Sequence, residues 1–228
     1  MANEGRDIVL FLANGRLYIY LGDGIVVLEF PPEVVRDIDI KNKEALANLV
    51  ITFIQANKIT PAQIFFVLSE SVCFSKDFKV ADSLNTTRVD ADVQSFIDSI
   101  PFNSVISKIY KTPTTYRVVG SNQDLIDVIL DVFISKGFGL TALVPANIYH
   151  NFGHQDQLSM DSAKAILGDK EMAIAGSMVS TEVKNVEHEI AATKAQGKPI
   201  NYRLFILIGV FVLGLVILGV VVLMRGGK

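Results

Sequence analysis

His150 and His154 stand four residues apart, with Asp156 close behind. On a helix that spacing would put two imidazoles on one face, the beginning of a zinc-type site. No third ligand is fixed in the Gly- and Gln-rich stretch around them, and two exposed histidines at a domain edge are the commoner case, so no metal is expected. Cys73 is the single cysteine and lies between Val72 and Phe74. That setting suits a small packed hydrophobe better than a nucleophile. A lone cysteine allows no internal disulfide, which fits a reducing compartment. Ser69-Glu70-Ser71 reads as a turn, and Phe65, Phe66 and Phe78 read as core. No catalytic residue and no cofactor is assigned, and a non-enzymatic role is expected.

The strongest signal lies elsewhere. Leu204 to Met224 is an unbroken apolar run of 21 residues, seventeen of them Leu, Ile, Val or Phe, followed by Arg225, Gly226, Gly227 and Lys228. As a helix it would reach roughly 31 Å, the thickness of a bilayer's hydrocarbon core. A single transmembrane helix is expected, with Leu204, Phe205, Phe211, Leu215, Leu218, Leu223 and Met224 among its anchoring side chains. Gly209, Gly214 and Gly219 are spaced by five, which spreads them around a helix, so no glycine-driven helix dimer is expected. Lys194, Lys198 and Arg203 before the span outnumber Arg225 and Lys228 after it. The positive-inside rule then leans toward a cytoplasmic N-terminal domain. Ile8 to Ala13 is too short an apolar run for a signal-peptide core.

With Arg203, Arg225 and Lys228 set aside, the soluble part carries 24 acidic residues against 18 basic ones. That balance argues against nucleic-acid binding.

The elements follow from local signals. Ile8–Leu12, Leu17–Leu21 and Ile25–Phe30 are β-branched and aromatic runs separated by Asn14-Gly15 and Gly22-Asp23-Gly24, which predicts three antiparallel strands. Asn42 to Asn57 places Leu46, Leu49, Val50, Phe53 and Ile54 on one helical face, with Asn42 as N-cap. Gln63–Leu68 reads as a buried strand, and Ser71–Phe78 as a partner strand continuing the sheet. Then come a short helix over Asp90–Ile100, strands over Val105–Tyr110 and Tyr116–Gly120, a helix from Asn122 to Lys136 closed by Gly137, and a strand over Leu140–Val144. Taken with Ser71–Phe78, the order strand, helix, strand, strand, helix, strand is the split βαβ, ferredoxin-like pattern. Residues 151–203 read as a partly helical linker, with short helices over Asp161–Leu167 and Thr181–Ala195. The second has so thin an apolar stripe that a flexible spacer is the favoured reading.

Several of these pieces carry a resemblance. The segments FPPEVVRDIDIKNKEAL (Phe30–Leu46), ITPAQIFFVLSESVCFSKDF, the helix end Ile100-Pro101-Phe102-Asn103 and SNQDLIDVILDVFISKGFGLTALVPANI resemble PilM-type type IV pilus assembly proteins. They also look like the cytoplasmic domain of the bitopic L component of type II secretion systems, both being actin-like proteins related to the division protein FtsA. The likeness spans about residues 8 to 150. It implies an α/β (α+β) chain with an actin-like N-terminal subdomain (1–74) and an inserted split-βαβ subdomain (75–150), to which the residue patterns above add the linker (151–203), the transmembrane helix (204–224) and a short basic tail (225–228). It implies a scaffold in a bacterial inner membrane, linking platform proteins of a pilus or secretion machine to cytoplasmic components such as a motor ATPase, with a homo-oligomer left open. In that family a short peptide from a membrane partner docks near the groove beside the insert. By the same resemblance, Pro101, Phe102 and Asn103 are the partner-binding candidates. The first turn, Leu12-Ala13-Asn14-Gly15-Arg16, lacks the Asp that manages the metal in actin-like nucleotide sites, and the apolar run begins where a second lobe would. ATP binding is therefore not expected. The alternatives are a tail-anchored adaptor unrelated to pili and a nucleotide-dependent switch with a degenerate actin-like site.

Overall fold

A computed structural model describes residues 6–79, 86–111, 115–149 and 155–179. The apolar run Leu204–Met224, the helix expected over Thr181–Ala195, and His150 and His154 lie outside the described residues. Among those described, no helix is long and apolar enough to cross a membrane.

Strands β1 (Asp7–Ala13), β2 (Arg16–Tyr20) and β3 (Ile25–Glu29) form the expected antiparallel meander. Its first turn is closed by Gly15 in the left-handed region at φ 71°. A two-stranded hairpin follows, β4 (Val35–Arg36) and β5 (Asp39–Ile40). Helix α1 (Lys43–Ala56) starts where the Asn42 side chain accepts from the Ala45 N–H at 2.9 Å. It ends with Lys58 at φ 50° and the Ile59 N–H bonded back to the Ile54 carbonyl, a Schellman-type close. Strand β6 (Gln63–Leu68) then runs parallel to β1.

Beyond a 3-10 turn at Glu70–Val72 the chain leaves this sheet. Strands β7 (Phe74–Lys79), β8 (Val105–Lys111) and β9 (Thr115–Asn122) form a separate three-stranded sheet of order β7-β9-β8, with helix α2 (Thr86–Ser99) between β7 and β8 in the chain. Helix α3 (Gln123–Ser135) returns the chain to the first sheet, and β10 (Gly139–Pro145) pairs parallel to β6. The completed main sheet has the order β10-β6-β1-β2-β3.

Two expectations are corrected here. β7 does not continue the sheet of β6, and β10 belongs to the main sheet, so the second sheet has three strands and does not close a split βαβ unit. The reason is visible in α3, which buries Leu125, Ile126, Val128, Ile129, Leu130, Val132 and Phe133. An apolar arc that wide packs with α1 on the main sheet, and it draws the following strand in beside β6.

The main sheet is covered on both faces. Ile8, Leu10, Leu12, Leu17, Ile19, Ile64, Phe66 and Leu68 face a core completed by α1 and α3. Val9, Phe11, Tyr18, Tyr20, Phe65, Val67, Ala142 and Val144 face a second core completed by Leu158, α4 (Met160–Gly168) and α5 (Lys170–Gly176) through Ala163, Ile166 and Ala173. Residues 155–179, read from the sequence as part of a linker, are therefore a packed layer of the fold. Burial on both faces is why β1 and β6 carry almost continuous apolar sequence.

Candidate functional site

The parallel strands β1, β6 and β10 end at one edge of the main sheet, the edge where open α/β sheets place ligands. Here two serines bridge the turns at that edge. The Asn14 N–H, in the turn after β1, donates to Ser71 Oγ at 3.1 Å, and the Ser71 and Ser69 hydroxyls lie 2.7 Å apart. The Ser69 N–H donates to the Leu12 carbonyl at 2.8 Å, and Ser69 is fully buried. The backbone amide of this first turn is thus already bonded to a side chain of the chain. Neither serine stood out in the sequence beyond its place in a turn.

Cys73 follows that turn. The residue is half-buried, and burial, with a smaller contribution from the charge of Glu70, pushes its thiol up to about 12, so it stays protonated at neutral pH. Asp156 is exposed. Among the described residues no group of three His, Cys, Asp or Glu side chains is arranged to hold a metal.

The second sheet meets the main core along a seam that begins at the same turn. The Ser121 hydroxyl donates to the Val72 carbonyl at 2.7 Å. Asn122 works in two directions: its Oδ1 accepts from the Leu125 N–H at 3.4 Å as N-cap of α3, and its Nδ2 donates to the Ile38 carbonyl at 2.8 Å. Ile38 and Asp37 form the two-residue loop between β4 and β5, at φ 59° and 50°. Two positive φ values suit a primed hairpin turn, but a β-branched residue there is strained by about 1–3 kcal/mol. Ile38 is buried, and Asn122 holds its carbonyl.

The sequence candidates Pro101, Phe102 and Asn103 connect α2 to β8 at this seam. Helix α2 closes with the Ile100 N–H on the Ile97 carbonyl, and the Phe102 N–H bonds to the Ile100 carbonyl at 2.8 Å. The Phe102 ring stands edge-on to Phe74, centroids 5.8 Å apart, and packs on the margin of the first core. Pro101 and Asn103 are exposed. The three candidates thus divide into one side chain taken up in packing and two facing solvent. Close behind them, a Cβ on Gly120 of β9 would come within 2.6 Å of Ile100 Cδ1, so glycine lets the end of α2 approach the sheet.

On β7 and β9, Arg117 grips Asp77 with two bonds of 2.7 and 2.8 Å. The Arg117 hydrogen bond is the main reason the Asp77 carboxyl is held below its ordinary value. Both groups are close to half exposed, which limits the pair to about 0.5–1 kcal/mol. It aligns the strands more than it stabilises them.

No family model and no curated protein matches the chain. The solved structures similar to it include the following two. One is a PilM-PilN type IV pilus biogenesis complex, at 14% identity and a TM-score of 0.45, covering 63% of this chain and 48% of that one. The other is the cytoplasmic domain of EpsL, an inner membrane component of the type II secretion system of Vibrio cholerae, at 13% identity and a TM-score of 0.37, covering 62% and 58% respectively. This chain therefore spans about half the length of the solved structures it matches. They come from the same two systems, type IV pilus and type II secretion, that the sequence motifs resemble.

Proposed function

We propose that this chain is a membrane-anchored, non-enzymatic scaffold for a type IV pilus or type II secretion-like machine, with an actin-like lobe facing the cytoplasm of a bacterial inner membrane. The observation that carries the reading is the order of elements. A three-stranded meander, a covering helix and a parallel strand lead into a small inserted sheet, after which a helix and a further parallel strand complete the main sheet. The sequence resemblance implies such a lobe with an insert, and the apolar run Leu204–Met224 in the same chain supplies the anchor. The bond from the Asn14 amide to Ser71 favours a scaffold over a nucleotide-dependent switch, because a first-turn phosphate would have to displace it.

In this reading a partner peptide is captured along the seam beside Pro101 and Asn103, and assembly then proceeds laterally in the membrane. Confinement to two dimensions raises the effective concentration of the partners, so weak contacts suffice.

The test is mild cross-linking of the full-length protein in native membranes, followed by affinity capture and mass spectrometry. A segment carrying only residues 180–228 serves as comparison. Enrichment of inner-membrane pilus or secretion components by the full chain alone supports the scaffold. Equal recovery by both would mean that the folded domain recruits nothing, and a tail-anchored adaptor would replace it.

A further inference from the structure

The end of α5 closes with the Ser177 N–H on the Ile174 carbonyl at 3.2 Å, and its last carbonyls are held by the second sheet. A helix leaves its last carbonyls without intrahelical partners. Here the Lys108 ammonium donates to the carbonyls of Ala175 and Ser177, and the Tyr110 hydroxyl donates to the Gly176 carbonyl at 2.9 Å. Lys108 and Tyr110 lie two apart on β8 and so project from the same face. The cation also suits the negative end of the helix.

The residues they hold go on to cover a sheet edge. β10 is one of the two edge strands of the main sheet. Ser177 Oγ accepts from the Leu143 N–H at 3.1 Å and from the Val179 N–H at 3.3 Å, while the Met178 N–H donates to the Leu143 carbonyl at 2.7 Å. Ser177 is therefore bonded to both sheets, with its carbonyl on β8 and its hydroxyl on β10. Pro145 at the end of β10 removes one further donor, so the strap sits where an uncovered edge would otherwise accept a strand.

We propose that Lys108 and Tyr110 form a latch that keeps the strap Ser177–Val179 on the outer edge of β10, so that the second sheet controls whether that edge is covered. Loss of those bonds would release the strap and leave the Leu143 edge open to strand addition. The inference rests on these bonds alone and stands independently of the scaffold reading.

Hydrogen exchange on the full-length protein in detergent tests it. Lys108→Met, which removes a charge-assisted donor, is expected to speed exchange at Leu143 and Met178 by about tenfold or more. Tyr110→Phe, which removes one oxygen, should give about two- to tenfold, with Ile64–Leu68 of β6 unchanged in both. Wild-type rates at Leu143 and Met178 in both variants would overturn the latch. So would an equal acceleration at β6, since the two side chains would then support the whole fold and not the strap. If Lys108→Met fails to fold, Tyr110→Phe decides alone by the same two criteria.

Discussion

Replacing Asn122 separates two contributions that a single side chain makes at the seam. In Asn122→Ala, helix α3 loses its N-cap acceptor, a cost near the lower part of the usual 0.5–2 kcal/mol because the Leu125 bond is long at 3.4 Å. The Ile38 carbonyl also loses a buried donor, which costs about 1–3 kcal/mol. Together these come to about 3 kcal/mol, or roughly 6–12 °C in Tm for a chain of this size. Asn122→Ser keeps a good cap acceptor but cannot donate to Ile38, so it should lose only the second part. Asn122→Asp keeps the cap and sets a carboxylate oxygen against the Ile38 carbonyl. It should be less stable than the serine variant at pH 7, and that gap should narrow as pH falls toward about 4, because the Ile38 carbonyl raises the folded carboxyl above its unfolded value of about 3.9. Thermal unfolding by circular dichroism, with a urea titration to check that m is unchanged, reads all three. If Asn122→Ser matches the wild type within about 0.5 kcal/mol, the Ile38 bond contributes nothing and the account of the seam fails.

Three further substitutions test other parts of the fold. Gly120→Ala forces its new methyl to within 2.6 Å of Ile100 Cδ1 and should cost about 1–3 kcal/mol, with faster hydrogen exchange in α2 and β9 than in β6; a neutral result would show that the α2 end yields freely. Lys58→Gly relieves the φ of 50° at the close of α1 and should raise stability by about 1 kcal/mol, read as a higher urea midpoint; a lower midpoint would mean that the lysine stem packs usefully. Asp127 lies on the exposed face of α3, and partial burial first, then the charges of Asp131 and Asp124, pushes its carboxyl above the ordinary value. A folded pKa above the unfolded one means that the native state binds the proton more tightly, so stability falls as pH rises through the interval between the two values. Asp127→Asn should therefore stabilise at pH 7 and be neutral near pH 3, and a gain that persists at pH 3 would assign the effect to packing.

Local chemistry made much of this fold legible. Asn14-Gly15, the caps Asn42 and Asn122, and the close at Gly137 each act through neighbouring residues, and the elements they bound stand where the sequence places them. Strand partnership is a long-range property, and the stretch Leu140–Val144 has the same local pattern whichever sheet it joins. The helix before it held the discriminating signal, because seven buried side chains within thirteen residues make an arc too broad for the small second sheet. The layer formed by α4 and α5 was hidden for a different reason. Of its buried helix contacts Ala163, Ile166 and Ala173, two are alanines that remove little apolar area, which leaves a weak helical stripe. The demand for that layer was written at the other end of the chain, where Ile8–Ala13 and Ile64–Leu68 offer no polar position on either face.

The seam was less legible than the layers, because its residues perform one role in sequence and another in space. Asn122 reads as a helix cap and is also the donor that holds a strained turn more than eighty residues earlier. Ser71 reads as a turn former and is also the acceptor for the amide of the first hairpin. Neither long-range role leaves a mark on spacing or periodicity, so only the folded chain displays it. Phe102 shows the converse. An aromatic beside a proline invites a reading as a contact residue, yet its ring packs edge-on against Phe74. A partner at this seam would therefore meet Pro101 and Asn103 directly and feel Phe102 only through the loop it anchors. Phe102→Ala should then weaken capture by loosening that loop, whereas Asn103→Ala should weaken it with the stability of the second sheet unchanged.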